Sequence, residues 1–374
     1  MGWAALSELV PLYPLYALLF LDTGLSDAQL SLLFAAWSLT ALLAEVPAGL
    51  LADMWSRRGS LVLGGCLQAA AFALWTALPS FGAFLAGFVI WGVGGACTSG
   101  AAEALVHDGL ADVGAAESFA RVNGAMTAAE LLVQVPTALA ATGLYALGGY
   151  RLVGWVSVLA CLAAAALALR FPEPRPAGEP EEGSLRTGLV LAVRRPALLV
   201  AVVAVALVGG LDGMEEFFPV LAVERGVPPA AVPAAVLAVA LAGAAGAALG
   251  GRVDRPRAGT LAVLLAASGA GLLLIRGAPP GVALALLAAA YGLYLAVLVA
   301  AEAELQRRIS GPYRATVTSV AGAGTELASL LVFLAWAVDG IFAVALLVLA
   351  VAPVVVGGLG AGAQRWPAAR ARRR

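Results

Sequence analysis

Charge is what this chain has least of. Only 12% of its 374 residues are charged, against 62% hydrophobic, which excludes an ordinary soluble globular domain. Lysine is missing altogether: all 22 basic residues are arginine, the mark of codon bias in a GC-rich genome. There is one histidine, His107, and there are three cysteines, Cys66, Cys97 and Cys161, all within apolar runs and without paired spacing. The cysteines are therefore read as inert packing residues, not as a disulfide or metal site. No Walker loop, nucleotide fingerprint, metal triad or nucleophile arrangement occurs, so ATP-driven transport and membrane enzymology find no support. Neither a metal, an organic cofactor nor a nucleic-acid partner is expected. The first apolar segment lacks a basic leader and runs on into a helical hairpin, so no cleavable signal peptide is expected either.

What the chain does have is a series of apolar runs about 20 residues long, the length that a bilayer core demands. They fall near 5–23, 28–53, 60–79, 81–107, 117–146 and 151–171, and again near 195–223, 229–251, 258–276, 279–305, 313–338 and 341–363. The expectation is an all-α polytopic membrane protein with twelve transmembrane helices. An even number of spans puts both termini on one side. Nineteen arginines fall in one set of loops and tails, and three, Arg151, Arg225 and Arg276, in the other, so both termini are expected in the cytoplasm. The polar, proline-rich stretch Phe171–Gly183 reads as a flexible cytoplasmic linker, placed at 172–190 between an N-terminal six-helix bundle (1–171) and a C-terminal one (191–363). Residues 364–374 form a short basic cytoplasmic tail.

The halves echo each other. Gly49-x-x-x-Asp53 recurs as Gly250-x-x-x-Asp254, Ala101-Ala-Glu103-Ala as Ala300-Ala-Glu302-Ala, and the segment ending Glu130-Leu as the one ending Glu326-Leu, at offsets of 196 to 201 residues. The turn between the second and third spans carries Gly49, Leu51, Ala52, Asp53, Arg57 and Arg58. That pattern resembles the loop signature of the major facilitator superfamily. The lead-in Glu45-x-Pro47-x-Gly49 and the stretch Ser99–Leu105 look like one bacterial, drug-efflux-like branch of it. The resemblance implies two pseudo-symmetric six-helix halves with a substrate site between repeats near the midplane. It also implies a bacterial inner-membrane transporter, monomeric, taking a small molecule and drawing on the proton motive force. Two motifs depart from it. The span-four arginine that many proton-linked members carry is Phe88 here, four residues before Gly92, and the glycine-rich run of drug antiporters is reduced to Gln134-Val-Pro136.

Carboxylates inside spans are the candidate sites, because each must face a cavity, take a partner or stay protonated. They are Glu45, Glu103, Glu130, Asp212, Glu215, Glu216, Glu302, Glu304 and Glu326, and no arginine lies deep in any span to neutralise them. Glu130 lies about 13–14 Å beyond Arg121 along its helix, near the midplane, and Glu326 stands similarly deep. Either these two bind a proton or cation, or each bonds a neighbour and locks helices together. Asp212, Glu215 and Glu216, spaced i, i+3, i+4, are expected on one helix face as a protonated or cation-binding cluster, or else as a solvated outer rim. The span aromatics Tyr13, Tyr16, Trp37, Trp91, Tyr291, Tyr294 and Trp336 either stack on flat or cationic ligands or pack the core, and Tyr16 is grouped with the binding residues. Glu45 and Glu103, with Asp53, Asp108 and Arg121 in reach, are expected to close an inner gate through charge pairs. There Gly49 permits close backbone approach, and Arg57 and Arg58 hold the turn on the positive side. Gly250, Asp254, Glu302 and Glu304 are expected to mirror that gate, with Arg307 and Arg308. His107, beside Asp108, reads as an interfacial surface histidine more readily than as a proton relay. Three readings follow: proton-coupled export of a small amphipathic or cationic compound, transport without antiport (a symporter or passive facilitator), and a non-transporting receptor or scaffold. No large soluble extension supports the last.

Overall fold

The computed structural model describes residues 1–173, 196–253, 255–309 and 314–360, and among them the chain is entirely helical apart from turns. The helices are α1 (Gly2–Glu8), α2 (Tyr16–Asp22), α3 (Asp27–Met54), α4 (Arg57–Ala77), α5 (Phe81–Asp112), α6 (Phe119–Ala168), α7 (Pro196–Gly210), α8 (Phe218–Glu224), α9 (Val232–Gly250), α10 (Ala258–Leu274), α11 (Pro280–Arg308) and α12 (Arg314–Gly360). Nine helical segments among the described residues are long and apolar enough to cross a membrane. The linker beyond Glu173, Asp254 and the basic tail lie outside the described residues.

Local chemistry sets the boundaries. Ser26, Ser56 and Ser80 each accept the N-terminal amide three residues on, capping α3, α4 and α5, and at α3 Gln29 returns the bond in a capping box. Two helices are broken by a kink within their length. α6 breaks at Gly148 and Gly149 (φ +59°), and α12 at Asp339 and Gly340 (φ +52°), where only glycine takes the left-handed turn without strain. The first apolar run does not form one helix. Pro11 and Pro14 supply no amide to the ladder, and the chain turns between α1 and α2.

Two compact units emerge, one of residues 1–180 and 216–237, the other of residues 181–215 and 238–374. The core of the first is aromatic. Phe20, Phe34, Phe72, Trp75, Phe84 and Phe88 are wholly buried, and the rings meet at close range: Phe20–Phe84 at 4.2 Å, Trp75–Phe88 at 4.7 Å. A smaller apolar cluster of Trp3, Ala4, Leu61, Leu105, Met126 and Ala168 ties α1 to α4, α5 and α6. α8 packs on α2, and Phe217 sets its ring edge against Phe34 at 5.2 Å. In the second unit α12 packs along α7 and α10, and α9 meets α11 through glycines.

Candidate functional site

In the second unit the site is built where α7 ends. Gly209, Gly210 and Gly213 weaken the α-helix, and residues Leu211–Phe217 continue as a tighter 3-10 helix. With three residues per turn, Asp212 and Glu215 share a face while Glu216 is carried about a third of a turn away. The expectation that all three acids line one face is therefore corrected. Asp212 and Glu215 converge on one group, the Tyr291 hydroxyl of α11, at 3.1 and 2.8 Å. Tyr294, one turn on, stacks with Tyr291 at 5.8 Å and donates to the Gly209 carbonyl at 3.3 Å. Glu302 lies within electrostatic range of Asp212. Glu326 is half-buried on α12, its own carbonyl accepting from Ser329 at 2.7 Å. A phenol between two carboxylates, backed by a second ring, can hold a proton or face a cation.

Glu216 belongs with the first unit, where it accepts from the Tyr16 hydroxyl. Tyr16 is itself 5% exposed, ringed by Phe20, Phe34, Trp75, Phe88 and Trp91. Nearby, Gln68 donates to the Tyr13 hydroxyl at 2.6 Å, and Tyr13 stacks on Trp91 at 5.6 Å. Glu130 is half-buried on α6, and Gln134, one turn further, is exposed. Within electrostatic range of Glu130 stands an acid that the spacing argument passes over, Glu8 at the end of α1. The signal that singles it out is Glu8-x-x-Pro11-x-x-Pro14 inside an otherwise apolar run.

The turn between α3 and α4 is organised around Arg57. It bridges Asp53 on α3, at 3.2 Å, and Asp108 on α5, whose other oxygen lies 3.2 Å from His107 Nδ1. His107 is exposed and sets its edge against Phe119 at 5.4 Å. Arg58 donates to the Phe171 carbonyl at 3.2 Å and pairs with Glu173 at 3.5 Å, so the turn is also tied to the end of α6. Glu45 and Glu103 take no part. Both are exposed and neither forms an ion pair among the described residues, because Glu45 lies about 12 Å up α3 from Asp53 and Glu103 more than a turn before Asp108. Arg121 donates to Ser118 at 3.2 Å instead of pairing with an acid. At Gly49 an added Cβ would meet nothing within 4 Å among the described residues, so no close approach needs that glycine. In the second unit Glu304 pairs with Arg307 and Arg308, each at 2.9 Å, and Arg308 also donates to the Gly358 and Leu359 carbonyls at the end of α12. Gly250 serves packing: a Cβ there would lie 2.3 Å from the Ala296 carbonyl oxygen. Asp254 lies outside the described residues.

The fold is shared with known transporters. A bacterial homologue of the human lysosomal transporter Spinster, solved inward-facing and occupied, matches with a TM-score of 0.72 at 15% identity, over 96% of this chain and 93% of the other. A variant of the nucleoside transporter NupG matches with a TM-score of 0.73 at 14% identity, over 96% and 97%. The xylose transporter XylE from E. coli, solved inward-open, matches with a TM-score of 0.63 at 17% identity, over 94% of each chain. No curated protein sequence matches. The sequence profile of the Major Facilitator Superfamily matches residues 4–333. The chain belongs to that superfamily, and it is a multi-pass membrane transporter, not an enzyme.

Proposed function

We propose that the protein exports a small amphipathic or cationic compound in exchange for protons, by alternating access. The observation that carries this reading is the Tyr291 hydroxyl at hydrogen-bond distance from both Asp212 and Glu215. A phenol has one proton to donate. The Tyr294 hydroxyl stands within bonding reach of Asp212 as well. A proton held among these groups is one that a cationic substrate can displace, with the Tyr291 and Tyr294 rings as the face on which that substrate rests.

In this reading the chain crosses the membrane twelve times. α1 with α2 make one crossing, α7 with α8 another, and α6 and α12 two each, split at their glycine kinks. Residues 1–171 and 191–363 are the two six-helix halves, joined by a cytoplasmic linker at 172–190 and followed by a basic tail. Both termini face the bacterial cytoplasm, and the protein works as a monomer on the proton motive force without a cofactor. Asp53, Arg57 and Asp108 form the inner gate of the first half, with Arg58 anchoring the turn. Glu130, Glu326, Glu216 and Tyr16 are secondary proton or substrate positions. The drug-efflux-like branch is supported by the Glu45-x-Pro47-x-Gly49 lead-in. The altered span-four and span-five motifs favour a second reading, a symporter or passive facilitator.

The test is purified protein in liposomes with an imposed pH gradient and a pH-sensitive dye. Cationic, neutral and anionic compounds are added in turn. Proton release triggered by a subset of compounds, and lost in Asp212→Asn and in Tyr291→Phe, supports coupled export. Substrate counterflow at full rate without any pH dependence overturns it in favour of the facilitator.

A further inference from the structure

Between α1 and α2 the backbone leaves acceptors without donors. Pro11 cannot return a hydrogen bond to the Ser7 carbonyl, as a helix would require. The neighbouring groups find other partners: Val10 donates to the Glu8 carbonyl at 2.9 Å, Tyr13 to the Val10 carbonyl at 3.1 Å, and Leu12 to Ser157 Oγ at 3.0 Å. The carbonyls of Ser7, Leu9 and Pro11 accept no hydrogen bond from any described residue. Val10 and Leu12, which alternate with them, are wholly buried. Trp3 packs edge-on against Phe171 at 6.2 Å near the end of α6, and Glu8 is five residues deeper, about 7.5 Å at the helical rise.

Main-chain carbonyls at that depth are tolerated where they line a wet cavity or hold an ion. The side chain at the break is an acceptor as well. Glu8 makes no hydrogen bond or ion pair with a described residue, and Glu130 adds a second negative charge within range. The break thus gathers carboxylate and carbonyl oxygens, and neither of the donors in range, the Tyr13 phenol near Glu8 and the N-terminal ammonium near Glu130, is bonded to them. That is the environment of a hard cation. No group of three acidic, histidine or cysteine ligands occurs among the described residues, which argues against a divalent or transition metal. One carboxylate among neutral carbonyls suits a single charge.

We propose that the break between α1 and α2 binds one monovalent alkali cation, held by the Glu8 carboxylate and the carbonyls of Ser7, Leu9 and Pro11. The site goes beyond the proton reading and stands in the other unit from Asp212 and Tyr291, so either survives the failure of the other.

The experiment is thermal unfolding of the purified full-length protein in sodium, potassium or choline chloride at equal ionic strength and fixed pH. Sodium or potassium, but not choline, raises the midpoint saturably by about 2–4 °C. Glu8→Gln weakens the half-saturating concentration by about tenfold or more. Pro11→Ala returns an amide to the Ser7 carbonyl and lowers the response while keeping the carboxylate, which tests the site should Glu8→Gln fail to fold. Asp212→Asn leaves the response intact. An equal midpoint in choline, or a cation response unchanged in Glu8→Gln or in Pro11→Ala, overturns the proposal.

Discussion

Both units bring helices together at glycines, Gly64 against the Gly94 carbonyl oxygen in the first, but they differ in how much aromatic bulk they add. The first fills the space between α2, α3, α4 and α5 with aromatic rings, so that Trp75, wholly buried, touches Phe20, Phe72, Phe88 and Trp91 and donates to the Phe84 carbonyl at 3.1 Å. The second removes side chains. A Cβ on Gly246 would lie 1.9 Å from the Gly292 carbonyl oxygen, and one on Gly210 2.5 Å from the Ala328 Cβ. In a bilayer the apolar surfaces of helices gain nothing from leaving lipid, so association rests on dispersion contact and on polar pairs. Large interlocking rings and bare backbones are two ways to maximise contact. They fail differently. Rings leave cavities when cut, whereas backbones clash when anything is added.

That contrast can be broken from either side. Trp75→Ala removes the largest buried side chain of the first unit and is expected to cost about 3–5 kcal/mol, through lost contacts and a cavity that neighbouring rings cannot refill. Gly246→Ala adds one methyl and is expected to cost about 1–3 kcal/mol by forcing α9 from α11. Thermal unfolding of each variant in detergent measures both. If Trp75→Ala proves the milder of the two, the aromatic core is more plastic than its ring contacts imply.

Two arginine ties sharpen the comparison. An arginine ties the chain just after α6 in the first unit and the end of α12 in the second, but the ties differ in quality. Arg308 has a side chain 14% exposed and bonds Glu304 and two terminal carbonyls, whereas Arg58 is 39% exposed and bonds one carbonyl and Glu173. Arg308→Gln is expected to cost about 1–3 kcal/mol, because it takes the donor from the helix-end carbonyls of α12 and leaves Glu304 with Arg307 alone. Arg58→Gln is expected to cost under about 1 kcal/mol, since solvent screens an exposed pair. Equal losses in the same unfolding measurement would mean that burial is not what separates them.

These differences were only partly legible in the sequence. The all-helical membrane class followed from apolar run length, and the kinks near residues 148 and 339 from glycines between runs. Asp53 and Arg57 were recognisable because they match the superfamily's loop signature at the turn between the second and third apolar runs. Asp212, Glu215 and Glu216 were not, because α-helical spacing was assumed where glycines give a 3-10 turn, and that one change of period sends Glu216 to Tyr16 and the other two to Tyr291. Glu45 and Glu103 misled for a related reason. Closeness along the chain was taken for closeness of side chains, although their carboxylates sit at other heights on their helices. Glu8 stayed hidden because a single acid near the start of a run looks like surface until the prolines beside it are seen to open the backbone.

The smallest expected effect is the most discriminating. Gly49 and Gly250 occupy matching places in the repeated Gly-x-x-x-Asp pattern, yet a Cβ at Gly49 meets nothing within 4 Å, while at Gly250 it would lie 2.3 Å from the Ala296 carbonyl oxygen. Alanine favours a helix over glycine, so Gly49→Ala is expected to stabilise by up to about 0.5–1 kcal/mol. Gly250→Ala is expected to destabilise instead, as Gly246→Ala does. Unfolding midpoints and transport rates should be measured on both variants. A Gly49→Ala protein that is as stable as its parent or more so, and transports normally, shows that this glycine serves no close contact at any stage of the cycle. A protein that gains stability and loses transport would place the close approach in another conformation, because a methyl group harmless to this state would then be blocking the next.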